Sequence, residues 1–412
     1  MQTSPRPRGP RAVFGGVLLS AVSVALVVAA CGGSDSTPTP APTPTKAAAT
    51  ATSVPATPVP TPTQQAATAA PTATPALTQV ALNPCPQKGV KDMTAAGATF
   101  PFPLYSKMFD AYNTLCGVKV NYQSIGSGGG IQQVQNQTVD FGASDAIMSD
   151  AQKAQAKGGS VLHIPTVAGA EAIIFNLSGI ASSQLKLTPD VLANIFLKNI
   201  KKWNDPAIAA INPGLSLPST DIAVVHRSDG SGTTFIFTNY LSKVSSDWAT
   251  KVGSATSVNW PGDIGGQGNE GVANQVKQIP GAIGYVELAY AKQNKISFAQ
   301  MRNKGGKFLD PTIEGAAAAA DIADLPDNME VVITDSANPD AYPITGFTWL
   351  LIYDNQTDAA KGDAVARLAW WMTHDGQQYA TPLDYAPLKG AAVKKDEALI
   401  KKIKVNGQAV LQ

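Results

Sequence analysis

Short apolar runs alternate with helically spaced apolar positions from residue 88 onward. Four runs rich in β-branched residues predict strands, near residues 118–122, 172–175, 222–225 and 330–333. Two sets of apolar side chains recur at spacings that place each set on one helical face: Leu104, Tyr105, Met108 and Tyr112, and then Phe237, Tyr240, Leu241 and Val244. An alanine run at 316–320 predicts a further helix. This alternation is typical of an α/β architecture with largely parallel sheets.

The start of the chain has the pattern of an export signal. Three arginines precede a stretch of small apolar residues at 12–30, which ends at Cys31 and is followed by Gly-Gly-Ser instead of a basic flank. The residues ending in Cys31 resemble a bacterial lipobox, so we predict a lipoprotein signal peptide at 1–30 and acylation of Cys31. The lipid would anchor the protein to the outer face of the cell membrane. An uncleaved membrane-spanning helix is the alternative.

Residues 31–84 have a composition that does not support a packed core. Ala, Thr and Pro follow one another in irregular order, and only Asp35 and Lys46 are charged. Because few bulky apolar groups are available to offset chain entropy, we predict that the lipidated Cys31 continues into a disordered tether up to residue 84. Such a tether would reach about 40 Å as a random coil. An ordered proline-rich module with its own partner is the alternative.

Two cysteines, Cys85 and Cys116, follow the tether. Since export would place them in an oxidising compartment, we predict a disulfide between them. It would join the start of the globular part to the end of its first helix. Two free thiols in a non-reducing mass spectrum would contradict this prediction.

Length and charge narrow the classes of function. About 330 residues follow the tether, which is large for one core and favours two domains with a ligand in the cleft between them. The 31 Lys and Arg nearly balance 30 Asp and Glu, so no basic footprint for nucleic acid is present. With three His and three Cys, the chain is also poor in metal ligands, and we expect neither a metal nor a cofactor.

Three glycine-rich turns each lead from a predicted strand towards a helix. Their sequences are Gly97-Ala98-Thr99-Phe100-Pro101, Gly126-Ser127-Gly128-Gly129-Gly130 and Asp229-Gly230-Ser231-Gly232-Thr233. We expect the helix after the second turn to begin near Ile131. Such turns offer unpaired backbone N–H groups, hydroxyl donors and the positive end of a helix dipole. Three of them together would bind a small oxyanion, although each alone is also an ordinary helix cap.

One arginine and two aspartates beside the turns indicate which kind of anion the site would bind. Arg227 can give a forked pair of hydrogen bonds to two oxygens, and Asp229 can hold that guanidinium in place. Asp145, in Phe141-Gly142-Ala143-Ser144-Asp145, can only accept as a carboxylate. Protonated phosphate can donate to it, whereas sulfate cannot, so Asp145 would select phosphate. A helix N-cap is its alternative role.

Taken in order along the chain, these motifs resemble one known family. The similar segments are 97–101, 122–129, 140–145, 200–208, 227–233 and 278–287. They are similar to the signature motifs of the phosphate-binding protein of the bacterial high-affinity ABC phosphate uptake system. The similarity extends from about residue 94 to the end of the chain.

The resemblance implies a two-lobed periplasmic-binding-protein-like fold of type II. Each lobe would be a mixed sheet flanked by helices, with one phosphate bound in the interlobe cleft. Residues 85–167 and 343–412 would form lobe I, and residues 168–342 would form lobe II. The crossing segments would lie near 165–175 and 342–351.

The resemblance also implies the ligand contacts and the partners. The expected phosphate-binding residues are Thr99, Phe100 (through its backbone N–H), Ser127, Asp145, Arg227, Ser231, Gly232 and Thr233. Asp229 would support Arg227 from behind. The expected partners are inorganic phosphate and the membrane permease subunits of an ABC transporter. Because the sequence has no Walker A motif, ATP hydrolysis would belong to a separate subunit. We expect a monomer.

Other functions have weaker support in the sequence. Gly266, Gly268 and Gly271 match a dinucleotide-binding fingerprint, but residues 260–263 precede it where a buried strand is required. No Gly-x-Ser-x-Gly elbow, metal cluster or activated nucleophile is recognisable, so we do not expect an enzyme such as a phosphatase. A receptor for another tetrahedral oxyanion, or a phosphate sensor or adhesin on the same fold, stays open.

Overall fold

The computed structural model of the protein describes residues 82–262 and 264–411. The predicted signal peptide, Cys31 and residues 32–81 of the tether, which we predict to extend to residue 84, lie outside these ranges. Among the described residues, no helix combines the length and the apolar character needed to cross a bilayer.

Sixteen strands are present in the described ranges. In chain order they are β1 Asp92–Gly97, β2 Lys119–Ser124, β3 Phe141–Ser144, β4 Val161–Phe175, β5 Lys186–Leu187, β6 Ala223–Arg227, β7 Ile264–Gly266, β8 Ala282–Glu287, β9 Ser297–Phe298, β10 Gln300–Arg302, β11 Phe308–Leu309, β12 Thr345–Tyr353, β13 Asn355–Gln356, β14 Ala386–Pro387, β15 Lys404–Val405 and β16 Gln408–Ala409.

Twelve α-helices and two short 3₁₀ helices, Asp375–Tyr379 and Thr381–Leu383, accompany the strands of the described part. The α-helices are α1 Phe102–Cys116, α2 Ser127–Gln135, α3 Asp150–Ala154, α4 Pro189–Phe196, α5 Pro206–Ala209, α6 Gly232–Val244, α7 Ser246–Lys251, α8 Gly268–Gln278, α9 Leu288–Gln293, α10 Ile313–Ala320, α11 Ala359–Thr373 and α12 Ala391–Ile400.

One large mixed sheet runs through the structure in the order β2-β1-β3-β12-β4-β8-β6-β7. At one end β1 lies parallel to β2 and β3, and at the other β6 lies parallel to β8 and β7. In the middle, β12 is antiparallel to β3 and β4, and β4 is antiparallel to β8. The predicted α/β class is therefore confirmed, and the predicted parallel pairing holds at both ends of the sheet but not at its centre.

The two predicted crossing segments fall on β4 and β12. Strand β4 is 15 residues long and almost entirely buried, as expected for an apolar run in the middle of a sheet. Its first part, 161–170, pairs with β12, and its last part, 171–175, pairs with β8. This strand thus connects the two ends of the sheet, and the predicted lobe boundary at 167/168 lies within it.

The predicted helices at 104–112 and 237–244 are confirmed as α1 and α6, and the alanine run lies in α10. Helix α2, however, begins at Ser127 rather than near Ile131. The reason is local, because Gly126 has a φ of 83°, which turns the chain into the helix one residue later. Ser127 is consequently the first residue of α2.

The predicted strand at 330–333 is wrong. This segment is irregular, and it is flanked by left-handed backbone at Met329 (φ 53°) and Asp335 (φ 54°). The backbone N–H of Val331 bonds locally to the carbonyl of Met329, so it joins no strand. Glu330 faces two bases instead, with 2.6 Å between its Oε2 and Lys153 Nζ and 3.1 Å between its Oε1 and His163 Nδ1.

The predicted disulfide is present in the structure. It joins Cys85 to Cys116 at the end of α1, with 5.1 Å between the two Cα atoms and a sequence separation of 31. By chain-entropy arithmetic, closing a loop of this length stabilises the fold by about 3 to 4 kcal/mol.

Asp396 on α12 allows a prediction on stability. Its side chain is fully buried, neither carboxyl oxygen has a hydrogen-bond partner among the described residues, and burial raises its pKa well above the ordinary value. The native state thus keeps a proton that the unfolded chain releases above about pH 4, so this group lowers the stability as the pH rises from there. We expect Asp396→Asn to raise the free energy of unfolding by about 1 to 3 kcal/mol near pH 7, and less near pH 4.

Thermal unfolding of both proteins across this pH range measures the effect. The exposed Asp110→Asn is the matched control, for which we expect no comparable change. Parallel stability curves for the wild type and Asp396→Asn would contradict the prediction.

Candidate functional site

The three glycine-rich turns meet at one place in the structure. They follow β1, β2 and β6 and lead into α1, α2 and α6. The N–H of Gly128 donates to the carbonyl of Gly230 across 2.8 Å. A Cβ atom on Gly232 would lie 2.5 Å from both Ser127 Oγ and Asp145 Oδ2. Glycine at 232 therefore allows the second and third turns and Asp145 to approach one another.

Backbone donors are concentrated at this meeting point. The N–H groups of five residues have no protein acceptor within the described part of the chain: Thr99, Phe100, Ser127, Gly232 and Thr233. These residues precede or begin α1, α2 and α6, where the first N–H groups of a helix have no intrahelical acceptor. Three helix N-termini with free donors form a site suited to an anion.

Asp145 lies at the same place, just after β3, and is buried. Thr348 Oγ1 donates to its Oδ1 across 2.8 Å, and its own backbone N–H donates to Ser127 Oγ across 3.1 Å. The alternative role as a helix N-cap is not seen, because Ser149 caps the next helix, α3. The side chain is thus part of the site.

The pKa of Asp145 lies close to neutral. Burial raises it to about 7, although the hydrogen bonds from Thr348 and Ser127 and the positive charge of Arg227 lower it. Near pH 7 this carboxyl group therefore exists in both forms, one that only accepts and one that can also donate a hydrogen bond.

Arg227, the last residue of β6, supplies the buried positive charge of the site. Its Nε and Nη2 donate to the two carboxylate oxygens of Asp229 across 2.8 and 2.6 Å, and its Nη1 donates to Thr233 Oγ1 across 3.2 Å. Burial disfavours the charged guanidinium, but Asp229 outweighs it and raises the pKa of Arg227. The predicted support of Arg227 by Asp229 is present in this geometry.

The hydroxyl of Thr99 connects the first turn to a fourth helix. Its Oγ1 accepts from the backbone N of Asn269, 3.2 Å away, and from Nδ2 of the same residue, 2.7 Å away. Asn269 Nδ2 also donates to Thr233 Oγ1 across 3.1 Å. Asn269 lies in the first turn of α8 and is a site residue that the sequence analysis missed.

The signal that points to Asn269 is the spacing of Gly266, Gly268 and Gly271. A dinucleotide-binding site would need a buried strand at residues 260–263, and the sequence predicts none there. Residues 260–262 form no strand, as expected, whereas the three-residue strand β7, Ile264–Gly266, follows them, precedes α8 and lies parallel to β6. Here the strand, turn and helix bring Asn269 to Thr99.

Phe100 and Ser231 help to shape the site. The carbonyl of Phe100 accepts from Tyr385 OH across 2.7 Å, and its buried ring packs edge-on against that tyrosine, with 6.3 Å between the ring centres. Ser231 caps α6, since its Oγ accepts from the N–H of Thr234 across 3.0 Å. The predicted site residues therefore all lie in or beside one buried cluster.

Two further buried carboxyl groups lie opposite each other on paired strands. Glu171 on β4 is in register with Glu287 on β8, and both are fully buried. Glu287 Oε2 accepts from Tyr385 OH across 2.9 Å, whereas Glu171 has no partner for either oxygen among the described residues. Burial raises the pKa of both groups well above the ordinary value. Burial thus favours the neutral form of both carboxyl groups.

A cavity of about 530 Å³ adjoins the cluster between α1 and the pair α8 and α9. Tyr290 lines it and donates from its OH to the carbonyl of Thr99 across 2.5 Å. No group of three or more His, Cys, Asp and Glu suited to a metal ion occurs in the described ranges. His226 is half-buried and stacks on Trp260, with 4.8 Å between the ring centres.

Comparison with protein families defines the class of the protein. Residues 60–375 match the model of the PBP superfamily domain, which covers most of the chain. The mixed sheet has parallel strands at each of its two ends, and the donor-lined cluster lies between these ends. The protein with this arrangement is thus a member of the PBP superfamily.

Curated relatives narrow this further. The chain is 48% identical over 313 residues to the phosphate-binding protein PstS of Xylella fastidiosa strain 9a5c, covering 76% of this chain and 85% of the relative. It is 45% identical over 316 residues to the phosphate-binding protein PstS of Haemophilus influenzae, covering 76% and 93%. The chain belongs to the PstS family of phosphate-binding proteins.

Solved structures agree on the fold. A phosphate-binding protein from Stenotrophomonas maltophilia matches with a TM-score of 0.57 and 20% identity, covering 74% of this chain and 93% of that chain. A periplasmic phosphate-binding protein solved with phosphate matches with a TM-score of 0.59 and 21% identity, covering 74% and 93%. At this level of identity the similarity concerns the fold alone.

Proposed function

We propose that this chain is an extracytoplasmic receptor that binds inorganic phosphate and delivers it to the permease of an ABC transporter. The observation that carries the proposal is the convergence of free backbone donors and the guanidinium of Arg227 on one buried place that also contains Asp145. Curated relatives of the same family are named phosphate-binding proteins.

Each predicted site residue has a definite role in this proposal. Thr99, Phe100, Ser127, Ser231, Gly232 and Thr233 donate hydrogen bonds to phosphate oxygens. Arg227 neutralises the charge of the anion and is itself held by Asp229. Asp145 accepts the hydrogen bond of the phosphate O–H. In this arrangement the donors of the protein bind the phosphate oxygens, and the acceptor Asp145 binds the phosphate proton.

The lobes explain how binding is signalled to the transporter. In the proposed division, lobe I consists of residues 85–167 and 343–412, and lobe II of residues 168–342. Thr99, Ser127 and Asp145 then belong to lobe I, whereas Arg227 and Thr233 belong to lobe II. An anion that contacts both lobes stabilises the closed form by its differential affinity. The permease would recognise that form, and a separate subunit would hydrolyse ATP.

The lipid anchor is the second part of the proposal. Acylated Cys31 would hold the receptor, as a monomer, on the outer face of the cell membrane, and the tether would leave the globular part free to turn. Membrane fractionation of cells expressing the full chain tests this. We expect the wild type in the membrane fraction and Cys31→Ser no longer anchored through lipid, with no acyl mass on its N-terminal peptide. An unmodified Cys31 in the wild type would contradict the anchor.

A crystal structure of the chain with phosphate tests the site. We expect the phosphorus atom within about 4 Å of polar atoms of Thr99, Asp145 and Arg227, the distance of a hydrogen-bonded oxyanion. A phosphate bound elsewhere would contradict the proposed contacts. If the protein were a phosphatase, a chromogenic phosphate ester would be hydrolysed, and we expect no turnover.

A further inference from the structure

The hydroxyl group of Thr99 has an unusual set of partners. A hydroxyl oxygen offers two lone pairs and one hydrogen. Both lone pairs of Thr99 Oγ1 face donors of Asn269, the backbone N at 3.2 Å and Nδ2 at 2.7 Å. Since neither partner can accept, the hydroxyl hydrogen of Thr99 has to point elsewhere.

Thr233 is in the same situation. Its Oγ1 accepts from Asn269 Nδ2 across 3.1 Å and from Arg227 Nη1 across 3.2 Å. Arginine has no acceptor, and the amide nitrogen of asparagine has none either. The hydrogen of this hydroxyl is therefore also directed away from both partners.

The orientation of the Asn269 amide is fixed by a third contact. Its Oδ1 accepts from the backbone N–H of Glu287 across 2.9 Å, and the side chain is fully buried. A flipped amide would place its NH₂ group against that N–H and its oxygen against Thr99 and Thr233. The observed orientation is thus the one that satisfies all of these groups.

We infer that Asn269 is a positioning residue, which fixes Thr99 and Thr233 as hydrogen-bond donors towards the bound anion. This inference rests on the proposed function and specifies it. Because both hydroxyls are prevented from accepting, Asp145 is left to accept a proton of the ligand. A singly protonated phosphate has one proton for that acceptor, whereas a doubly protonated one has a second proton that neither threonine can accept.

A double-mutant cycle between positions 99 and 269 tests the inference. In Asn269→Asp, the carboxylate still accepts from the N–H of Glu287, but it also accepts from the two threonine hydroxyls. Their hydrogens then point away from the anion. We expect Thr99→Val to weaken phosphate binding about tenfold in the wild type and not at all, or in the opposite direction, in the Asn269→Asp background. Calorimetric titration of the four full-length proteins measures this.

The double-mutant cycle distinguishes an effect of Asn269 on the orientation of the threonine hydroxyls from an effect of charge or packing at position 269. If Asn269→Asp acted only by repelling the anion, Thr99→Val would cost the same factor in both backgrounds, and the inference would fail. Asn274→Asp, an exposed change of the same chemistry on the same helix, is the matched control and should leave phosphate affinity within about twofold.

A second variant keeps the test decisive if Asn269→Asp does not bind measurably. In Asn269→Leu both hydroxyls are free to rotate, so we expect the cost of Thr99→Val to be at least about threefold smaller than in the wild type. Equal costs would overturn the inference. A wild type that fails to bind phosphate would instead overturn the proposed function, so the two failures are distinguishable.

Discussion

Arg227→Ala is expected to reduce phosphate affinity by about a thousandfold, close to the limit of calorimetric detection. Arg227 is the buried cation at the meeting point of the turns, with two of its nitrogens held by Asp229. Its removal takes away charge-assisted hydrogen bonds to the anion and leaves the negative charge of the Asp229 carboxylate beside the site without its partner. Both effects act in the same direction.

Two further variants show whether the geometry of the guanidinium matters. Arg227→Lys keeps the positive charge but cannot make the forked bond to Asp229, so we expect an intermediate loss of affinity. Arg302→Ala, on β10 outside the cluster, should bind phosphate as the wild type does. Unchanged affinity in Arg227→Ala would remove this residue from the site.

Asp145→Asn is expected to narrow the preference for phosphate over sulfate by about a hundredfold. The carboxylate repels a sulfate oxygen, because both groups can only accept a hydrogen bond. The Asn amide keeps the shape of the side chain and can donate to sulfate. The loss of preference should come mainly from stronger sulfate binding.

The pH dependence follows from the pKa of Asp145, which burial raises to about 7. Below this pH the carboxyl group is protonated and can donate to sulfate, whereas above it sulfate binding requires the uptake of a proton. Sulfate affinity of the wild type should therefore fall by about tenfold per pH unit above pH 7. In Asp145→Asn it should be flat. Competition titrations between about pH 6 and pH 9 measure this, and identical pH profiles would contradict the role of Asp145.

Much of the fold and of the site was predictable from sequence because the signals are local. The spacing of Phe237, Tyr240 and Leu241 fixes one face of a helix, and the structure has that helix as α6. The glycines of the three turns are needed by the turns themselves, as the close approach of Gly232 to Ser127 illustrates. Such requirements can be recognised without knowledge of distant contacts.

What sequence reasoning missed depends on partners that are distant in the chain. Asn269 is 170 residues from Thr99, and the glycine spacing around Asn269 does not indicate which distant residue it contacts. Strand β7 has only three residues, too few for a hydrophobic pattern to be recognised. The run at 330–333 has the composition of a strand, but no sheet edge in the described part of the chain is paired with it.

The centre of the sheet shows the same limitation. Apolar runs predicted strands correctly at 172–175 and 222–225, but their pairing direction was not encoded in those runs. Strand β4 is antiparallel to both β12 and β8, because the chain crosses the sheet and returns through β12. Glu171 and Glu287 lie opposite each other because of that pairing, and no pattern in the sequence predicts their contact.

The central claim is that a water-poor site with many donors recognises an anion by the proton that it carries. Calorimetric titration of the full chain with phosphate, arsenate and sulfate at about pH 8 tests it most directly. We predict one tight site for phosphate, similar binding of arsenate because it also keeps a proton, and sulfate weaker by at least about a hundredfold. Sulfate binding within a few fold of phosphate, or no phosphate binding, would contradict the account.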